Sequence, residues 1–360
     1  MKALLVITGR GMGGDAAIAL NIARALEEKG VQCELALDHN APGILFKNNG
    51  YSWHKISVPQ AGGHAATRSA TAKAGLRTLK AALETRKLIK KLKVDVVVGI
   101  IGGGAVVGCI AAKLARIPAV GVVSTPTDTK VCTKLNTSIV FPEVKLYREE
   151  TLPENVKKSF FPLDPEITKG NRDIALEKIK EIDKKGLFDK NKQSILFSSG
   201  SSLFETMVRG LANATTPEYN LNKNYNLFLV GIPLEEEYLD LIDQNKIINL
   251  GYIDWIKDLY DLIDLAVLTD DGMMVQEALG CELPVIALTR VKYGRYHNMA
   301  GIFPGAVIEA NIEDLNSKIE ESLINLDEIK AKSKDYSKEI LLASENIANI
   351  IIYEANKKKK

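Results

Sequence analysis

Short uninterrupted apolar runs alternate with longer stretches in which apolar residues recur every three or four positions, and the alternation runs along most of the chain. KALLVI predicts a strand buried on both faces, Asp15 to Lys29 an amphipathic helix, and CELALD a second strand, which together make a βαβ opening. SWHKISV predicts a third short strand, followed by the loop QAGGHAATRS and a long helical stretch ending near Lys93. VDVVVGI, GAVVGCIAAKLARI and PAVGVV then read as strand, helix and strand, joined by Gly-rich or Pro-bearing turns. After SIVF the periodicity loosens, and FFPLDPEITKGN, with two prolines, is the best linker candidate. The pattern restarts with a helix around Asp173 to Lys184 and the strand SILFSS, a small-residue turn, and the helix LFETMVRGLANA. YNLFLVG, IINLGYI, DLAVLTD and LPVIAL predict further strands, separated by helices near Glu235 to Gln244, Trp255 to Ile263 and Met273 to Leu279. From Leu326 onward the chain reads as helix and ends in the charge run Lys357 to Lys360.

This order predicts an α/β protein of two Rossmann-like, doubly wound domains, with residues 1–163 forming the first, 164–335 the second, and 336–360 a terminal helix with a basic tail. The length of 360 residues suits two such cores. Ligands in these folds bind beyond the carboxyl ends of the strands, so a cleft faced by both domains is the expected site. Apolar residues make up 46% and charged residues 26%, an ordinary globular balance that excludes a disordered or fibrous chain. Cys33, Cys109, Cys132 and Cys281 stand singly, with no metal-ligand spacing, so neither a zinc site nor a disulfide framework is predicted and a reducing cytoplasm is expected. The apolar run at the N-terminus, Ala3 to Thr8, is too short for a signal peptide or a spanning helix.

Charge changes the picture more than composition does. Residues 1–165 carry 23 Lys and Arg against 13 Asp and Glu, whereas the remainder carries 24 against 32. A basic first half attracts phosphorylated ligands or anionic lipid through its summed field. Between Lys73 and Lys91, a basic stripe of Lys73, Arg77, Lys80, Lys87 and Lys91 falls on one helix face, interrupted by Glu84. It could dock an anionic membrane, hold a lipid phosphate or simply be solvated; nucleic acid is not expected, since few aromatics lie near it and no nucleic-acid motif is recognisable.

Two glycine clusters follow strands directly. Gly9, Gly11, Gly13 and Gly14 open the first helix, and Gly102, Gly103 and Gly104 follow VDVVVGI, so backbone N–H groups at both places could face an anion. The first cluster also fits G-x-G-x-x-G with Asp38 closing the second strand, a dinucleotide fingerprint that tight βα turns can mimic for steric reasons alone. Asp15, at the end of that turn, could serve as a general base or cap the helix, and His64 in AGGHAAT is a second candidate base. In the second half, Ser199, Gly200, Ser201 and Ser202 offer hydroxyl and N–H donors at a predicted helix start, and Glu277 follows the Gly272 turn.

GRGMGGDAAIALNIARAL, VDVVVGIIGGGAVVG and GYIDWIKDLYDLIDLAVLTDDGMMVQEALGCELPVIALTRVKYGRYHNMAG, in this order, resemble the MurG-like family of GT-B glycosyltransferases. The resemblance implies GT-B architecture and a donor site in the second domain. There Glu277 would hold the nucleotide ribose hydroxyls, the Ile253 backbone would read uracil, and Asn298, preceded by His297, would face the donor sugar. It places Gly11, Gly13, Gly14 and Gly102 to Gly104 on the acceptor side. Three departures stand out: Met273 and Met274 replace small hydroxyl residues, SSGSS replaces a Gly-Gly-Ser turn, and Asp15 stands where the family has His.

The expected function is transfer of a sugar, an N-acetylhexosamine by resemblance, from a UDP-sugar to a hydroxyl of an envelope or lipid-linked acceptor, without metal or cofactor. The expected location is the cytoplasm, at the inner face of the membrane if the acceptor is a lipid. A nucleotide-sugar hydrolase or epimerase of the same fold, or a non-catalytic nucleotide-sugar-binding protein, remains the alternative.

Overall fold

The computed structural model describes residues 1–8, 11, 13–58, 68–140, 152–270, 273–289 and 299–357. The chain divides into two compact units, one of Met1–Leu163 with Leu342–Lys360 and the other of Asp164–Leu341.

The first unit runs β1 (Lys2–Ile7), α1 (Gly14–Glu28), β2 (Gln32–Asp38), α2 (Ile44–Asn48), β3 (Trp53–Ile56), α3 (Arg68–Leu92), β4 (Val96–Ile100), α4 (Gly102–Ala115), β5 (Ala119–Val123), α5 (Pro126–Leu135), β6 (Thr137–Val140) and β7 (Val156–Lys158). The strands make a seven-stranded sheet in the order β3-β2-β1-β4-β5-β6-β7, and every pairing is parallel. A parallel sheet has helices on both faces, which is why β1, β4 and β5 are continuous apolar runs with almost no exposure. Packing is tight enough to dictate residue size. A Cβ on Gly99 of β4 would lie 2.7 Å from the Ala105 Cα and carbonyl oxygen of α4, so strand and helix approach backbone to backbone. The end of the chain, α13 (Ala343–Lys357), returns to this unit and lies on α1 and β5, burying Ile347, Ala348 and Ile351.

The second unit begins with a 3-10 turn, Pro165–Thr168, capped by the Asp164 carboxylate. It continues through α6 (Arg172–Ile182), β8 (Gln193–Leu203), α7 (Glu205–Ala214), β9 (Tyr225–Pro233), β10 (Ile248–Gly251), α8 (Ile256–Tyr260), β11 (Leu265–Thr269), α9 (Met274–Gly280), β12 (Val285–Leu288), α10 (Met299–Ile302), β13 (Val307–Ala310), α11 (Leu315–Ile324) and α12 (Leu326–Leu341). Its six strands are ordered β10-β9-β8-β11-β12-β13, again all parallel. Phe197, Leu229, Val267 and Ile286, one from each of four strands, centre a core closed by α7 and α11.

Several local features differ from the expectation. The linker is stitched down at its start: Phe161 and Leu163 are buried, Asn21 of α1 donates to the Pro162 carbonyl at 2.9 Å, and Ser344 of α13 donates to the Leu163 carbonyl at 2.6 Å. The segment near Glu235 to Gln244 is a 3-10 turn, Glu236–Leu241, rather than an α-helix. α2, α5, β7, α10, β13 and α11 lie where no element was predicted.

In each sheet the chain winds outward in one direction and then returns to wind in the other. The reversal falls between β1 and β4 in the first unit and between β8 and β11 in the second. Loops diverge at such a point and leave space beyond the strand ends.

Candidate functional site

At the reversal in the first unit, three turns leave neighbouring strand ends: β1 to α1, β4 to α4, and β5 to α5. The glycines of the first turn divide by role. Gly11 has φ +70° and no room for a Cβ, which would lie 2.6 Å from the Gly43 Cα, and its carbonyl accepts from Leu45 N at 3.1 Å. It is a packing glycine. Gly13, at φ +82°, is the N-cap residue of α1, and both it and Gly14 are exposed with open space where a Cβ would be. Gly13, as the N-cap residue, brings no side chain to cap α1, and among the described residues Asp15 is not seen to cap it. Instead Asp15 sits half-buried in the first turn, and burial, followed by the nearby charge of Asp128, pushes its pKa up to about 6.

In the second glycine turn two of the three amides bond within the protein. Gly102 N donates to Asp128 Oδ2 at 2.7 Å, and Gly104 N donates to Thr8 Oγ1 at 2.9 Å, so both amides are occupied within the protein. A Cβ on Gly104 would lie 2.6 Å from the Val6 carbonyl oxygen, so its size is set by contact with β1. Gly103 beside them is half-buried. Asp128 belongs to a capping box in which its own carboxylate and the Thr125 hydroxyl satisfy each other's backbone N–H groups at the start of α5. Spacing could have revealed it, since Thr125 and Asp128 stand in the S/T-x-x-D/E pattern, but neither Asp128 nor Thr8 was anticipated as part of the site.

In the second unit, Ser199 to Ser202 do not form a turn at a helix start. They prolong β8, which shifts register between Ser198 and Ser202 and then pairs Ser202 and Leu203 with Ile232 and Pro233 of β9. Gly200 makes the bulge, at φ +95°, and its N–H donates to Ser198 Oγ at 3.1 Å, while Ser199 Oγ accepts from Phe204 N, the N-cap residue of α7. Ser201 is left exposed and Ser202 half-buried. Met274 reaches this strand end, its Sδ lying 3.5 Å from Ser198 Oγ. Across the reversal, Glu277 lies in the first turn of α9, with its Oε2 3.5 Å from the hydroxyl of Tyr260, a buried residue of α8. Burial pushes Glu277 up to about 7, against the Tyr260 hydrogen bond, which acts the other way. Ile253 is buried just beyond β10, after Gly251 at φ +62°. His64, Gly272, His297 and Asn298 lie outside the described residues.

A carboxyl poised near neutral pH thus stands in the first turn of the helix that follows the strand at each reversal: Asp15 after β1, and Glu277 after β11. Such a group can accept from hydroxyl donors when ionised and can take a proton without being a strong base in water.

α3 carries a separate feature. Leu76, Leu79 and Leu83 are 74%, 52% and 44% exposed, an unusual cost for leucine, and at about 100° per residue they lie beside the exposed Arg77, Lys80, Lys87 and Lys91. Glu84, which interrupts the basic stripe, turns inward to accept from Ser57 N and Oγ at 2.8 and 3.1 Å. No helix among the described residues is long and apolar enough to cross a membrane.

Residues 5–120 match the glycosyltransferase family 28 N-terminal domain. Over 120 residues the chain is 33% identical to the UDP-N-acetylglucosamine--N-acetylmuramyl-(pentapeptide) pyrophosphoryl-undecaprenol N-acetylglucosamine transferase of Shewanella amazonensis; the match covers 33% of this chain and 32% of that relative, about a third of its length. Among solved structures, MurG of Acinetobacter baumannii is similar with a TM-score of 0.66 and 18% identity, over 98% of this chain and 99% of that one. HepE of Anabaena, solved in complex with UDP-glucose, is similar with a TM-score of 0.62 and 16% identity, over 99% and 98%. SnogD of Streptomyces nogalater, a glycosyltransferase, is similar with a TM-score of 0.62 and 13% identity, over 99% of both chains. Residues 5–120 thus resemble the glycosyltransferase family 28 N-terminal domain, and the fold of the chain is that of these solved glycosyltransferase structures.

Proposed function

We propose that the protein transfers a sugar, an N-acetylhexosamine, from a UDP-sugar to a hydroxyl of a lipid-linked or phosphorylated acceptor. The observation that carries the reading is the pair of poised carboxyls at the two chain reversals, in a fold whose similar proteins include MurG and a UDP-glucose complex. Glu277 holds the ribose hydroxyls of UDP, its two oxygens accepting from both, with the backbone at Ile253 reading the base. The bulged Ser199 to Ser202 segment offers neutral donors to the diphosphate. Asp15 takes the proton of the acceptor hydroxyl as that oxygen bonds to the anomeric carbon and the bond from that carbon to the diphosphate breaks, releasing UDP. With a pKa of about 6, Asp15 is ionised at neutral pH yet more basic than an ordinary carboxylate. Gly13 and Gly14, open and exposed at the start of α1, belong to the acceptor side. A binding-only protein is the second reading, favoured by Met274, whose thioether lies against Ser198 where the resemblance leads one to expect a small hydroxyl side chain.

Exposed leucines beside a basic stripe suit a helix lying on an anionic lipid surface, with its apolar edge in the headgroup layer and its cations toward the phosphates. That location would bring the enzyme to a lipid-linked acceptor.

Three measurements test this reading. Asp15→Asn should lower turnover about a hundredfold or more while UDP affinity holds; turnover near wild type removes Asp15 as the base, and tight UDP binding with no turnover in the wild type favours the binding-only protein. UDP affinity by calorimetry should weaken about tenfold for each pH unit below 7, because protonation of Glu277 removes an acceptor, and Glu277→Gln should bind weakly with a flat profile. A pH-independent wild type would place the ribose elsewhere. Vesicles containing anionic lipid should sediment the protein at low salt and release it as salt rises. Leu79→Ser with Leu83→Ser, or Gln at Arg77, Lys80, Lys87 and Lys91, at about 1 kcal/mol for each cation near the surface, should abolish sedimentation and spare UDP binding. Failure of the wild type to sediment would point to a soluble acceptor.

A further inference from the structure

Tyr260 closes α8 with a side chain only 2% exposed. Phenylalanine would fill that space equally well, and a phenol taken out of water needs an acceptor. The Tyr260 hydroxyl donates to Glu277 Oε2 at 3.5 Å, reaching from α8 to the first turn of α9, and Glu277 itself is half-buried. A buried donor is thus joined to a carboxyl that stands at the edge where the strands of this unit end.

Both helices are too short to hold their places alone, and the stretch from Pro165 to Arg172 is fastened to each of them. At α8, the Asp258 carboxylate accepts from Asn171 N at 2.9 Å and the Asp261 carboxylate from Arg172 N at 3.1 Å, while Gly170 lies against the Lys257 carbonyl so closely that no Cβ fits. At α9, the thiol of Cys281, the C-cap residue, donates to the Ile167 carbonyl at 3.3 Å, and Ser337 of α12 donates to the Gly280 carbonyl at 2.7 Å. These anchors set the separation of Tyr260 and Glu277 before any ligand arrives. A glutamate free to rotate loses conformational entropy when it meets a ligand, and a donor already on one oxygen removes part of that cost. Among the described residues, the titratable groups bearing on Glu277 are Tyr260 and the Cys281 thiol, which burial pushes up to about 12 and so keeps neutral. Asp271, in the turn before α9, lies outside the described residues.

We propose that Tyr260 is a positioning residue for the donor: its phenol holds one carboxylate oxygen of Glu277, so that the group meets the ribose hydroxyls in a fixed orientation. The inference rests on Glu277 as the ribose-binding group. It makes the preference for a ribonucleotide depend on a buried side chain that touches no ligand.

The test compares UDP with dideoxyuridine diphosphate, which lacks both ribose hydroxyls, by calorimetry at about pH 9, where Glu277 is ionised and the two ligands carry the same charge. Wild type should prefer UDP about tenfold or more, the scale of hydrogen bonds to a charged group. Tyr260→Phe keeps the ring in its place, and it should cut that preference about threefold or more while affinity for the dideoxy analogue holds. It should also move the pH midpoint of UDP binding above the wild-type value near 7, because Glu277 loses a donor that favours its ionised form. A merely structural Tyr260 would weaken both ligands alike and leave the preference and the midpoint in place, and that result overturns the proposal. Should Tyr260→Phe fail to fold, replacing tyrosine throughout by ring-fluorinated tyrosine supplies a more acidic phenol in nearly the same volume. The midpoint of UDP binding should then fall, and an unchanged midpoint overturns the proposal equally. If wild type binds both ligands with equal affinity, Glu277 does not hold the ribose and Tyr260 has nothing to position. If wild type discriminates and Glu277→Gln does not, while Tyr260→Phe discriminates as wild type does, only the role of Tyr260 fails.

Discussion

In a parallel sheet each strand must be followed by a crossover before the next can begin in the same direction, so all carboxyl ends of strands and the amino ends of the following helices gather on one edge. Both units obey this constraint, and the positions of the candidate groups follow from it. Asp15 and Glu277 each lie in the first helical turn beyond a strand next to the reversal, where loops diverge and backbone donors converge. The same constraint makes glycine necessary. Gly99 and Gly104 allow α4 to lie against β4 and β1 at backbone distance, and a larger side chain at either would push α4 away from the sheet.

At neutral pH, burial of carboxyls at this edge opposes stability. Asp15 and Glu277 are ionisable groups drawn out of water, with folded pKa values of about 6 and 7 against ordinary values of 3.8 and 4.5. Between those limits the folded state holds protons that the unfolded chain has released. Their contribution is therefore most favourable at acid pH and is lost as pH rises through 3.8 to 6 for Asp15 and 4.5 to 7 for Glu277. At the pH where both carboxylates are ionised, the fold bears their desolvation, offset by burial elsewhere in strands such as β1, β4, β11 and β12.

The architecture was legible because buried parallel strands are near-continuous apolar runs and their helices keep a helical period. What escaped depended on distant partners. β7 is Val-Lys-Lys, an edge strand whose polarity hides it, and α5 is rich in Thr and Lys with little apolar periodicity, betrayed only by its capping box. The Ser199 to Ser202 segment reads as a turn by composition, and it stays extended because Ile232 and Pro233 of β9 continue the ladder. Asp15 and Glu277 could be placed at helix starts from spacing alone, but their proton affinities are set by tertiary burial and, for Asp15, by a residue more than a hundred positions away. Likewise, nothing local to Gly102 and Gly104 shows that Asp128 and Thr8 already occupy their amides.

The proposed donor site lies in the second unit, at the reversal between β8 and β11, where a UDP-sugar would bind. Thermal unfolding followed during titration with UDP, GDP, CDP, dTDP and NAD tests it most directly, since a ligand that binds only the folded state stabilises it by about 2.7 kcal/mol at a hundred times its Kd. The account predicts a saturable rise in unfolding temperature with UDP and UDP-sugars, a smaller one with the other diphosphates, and none with NAD. A rise with NAD alone, or no response to any uridine nucleotide, would contradict it.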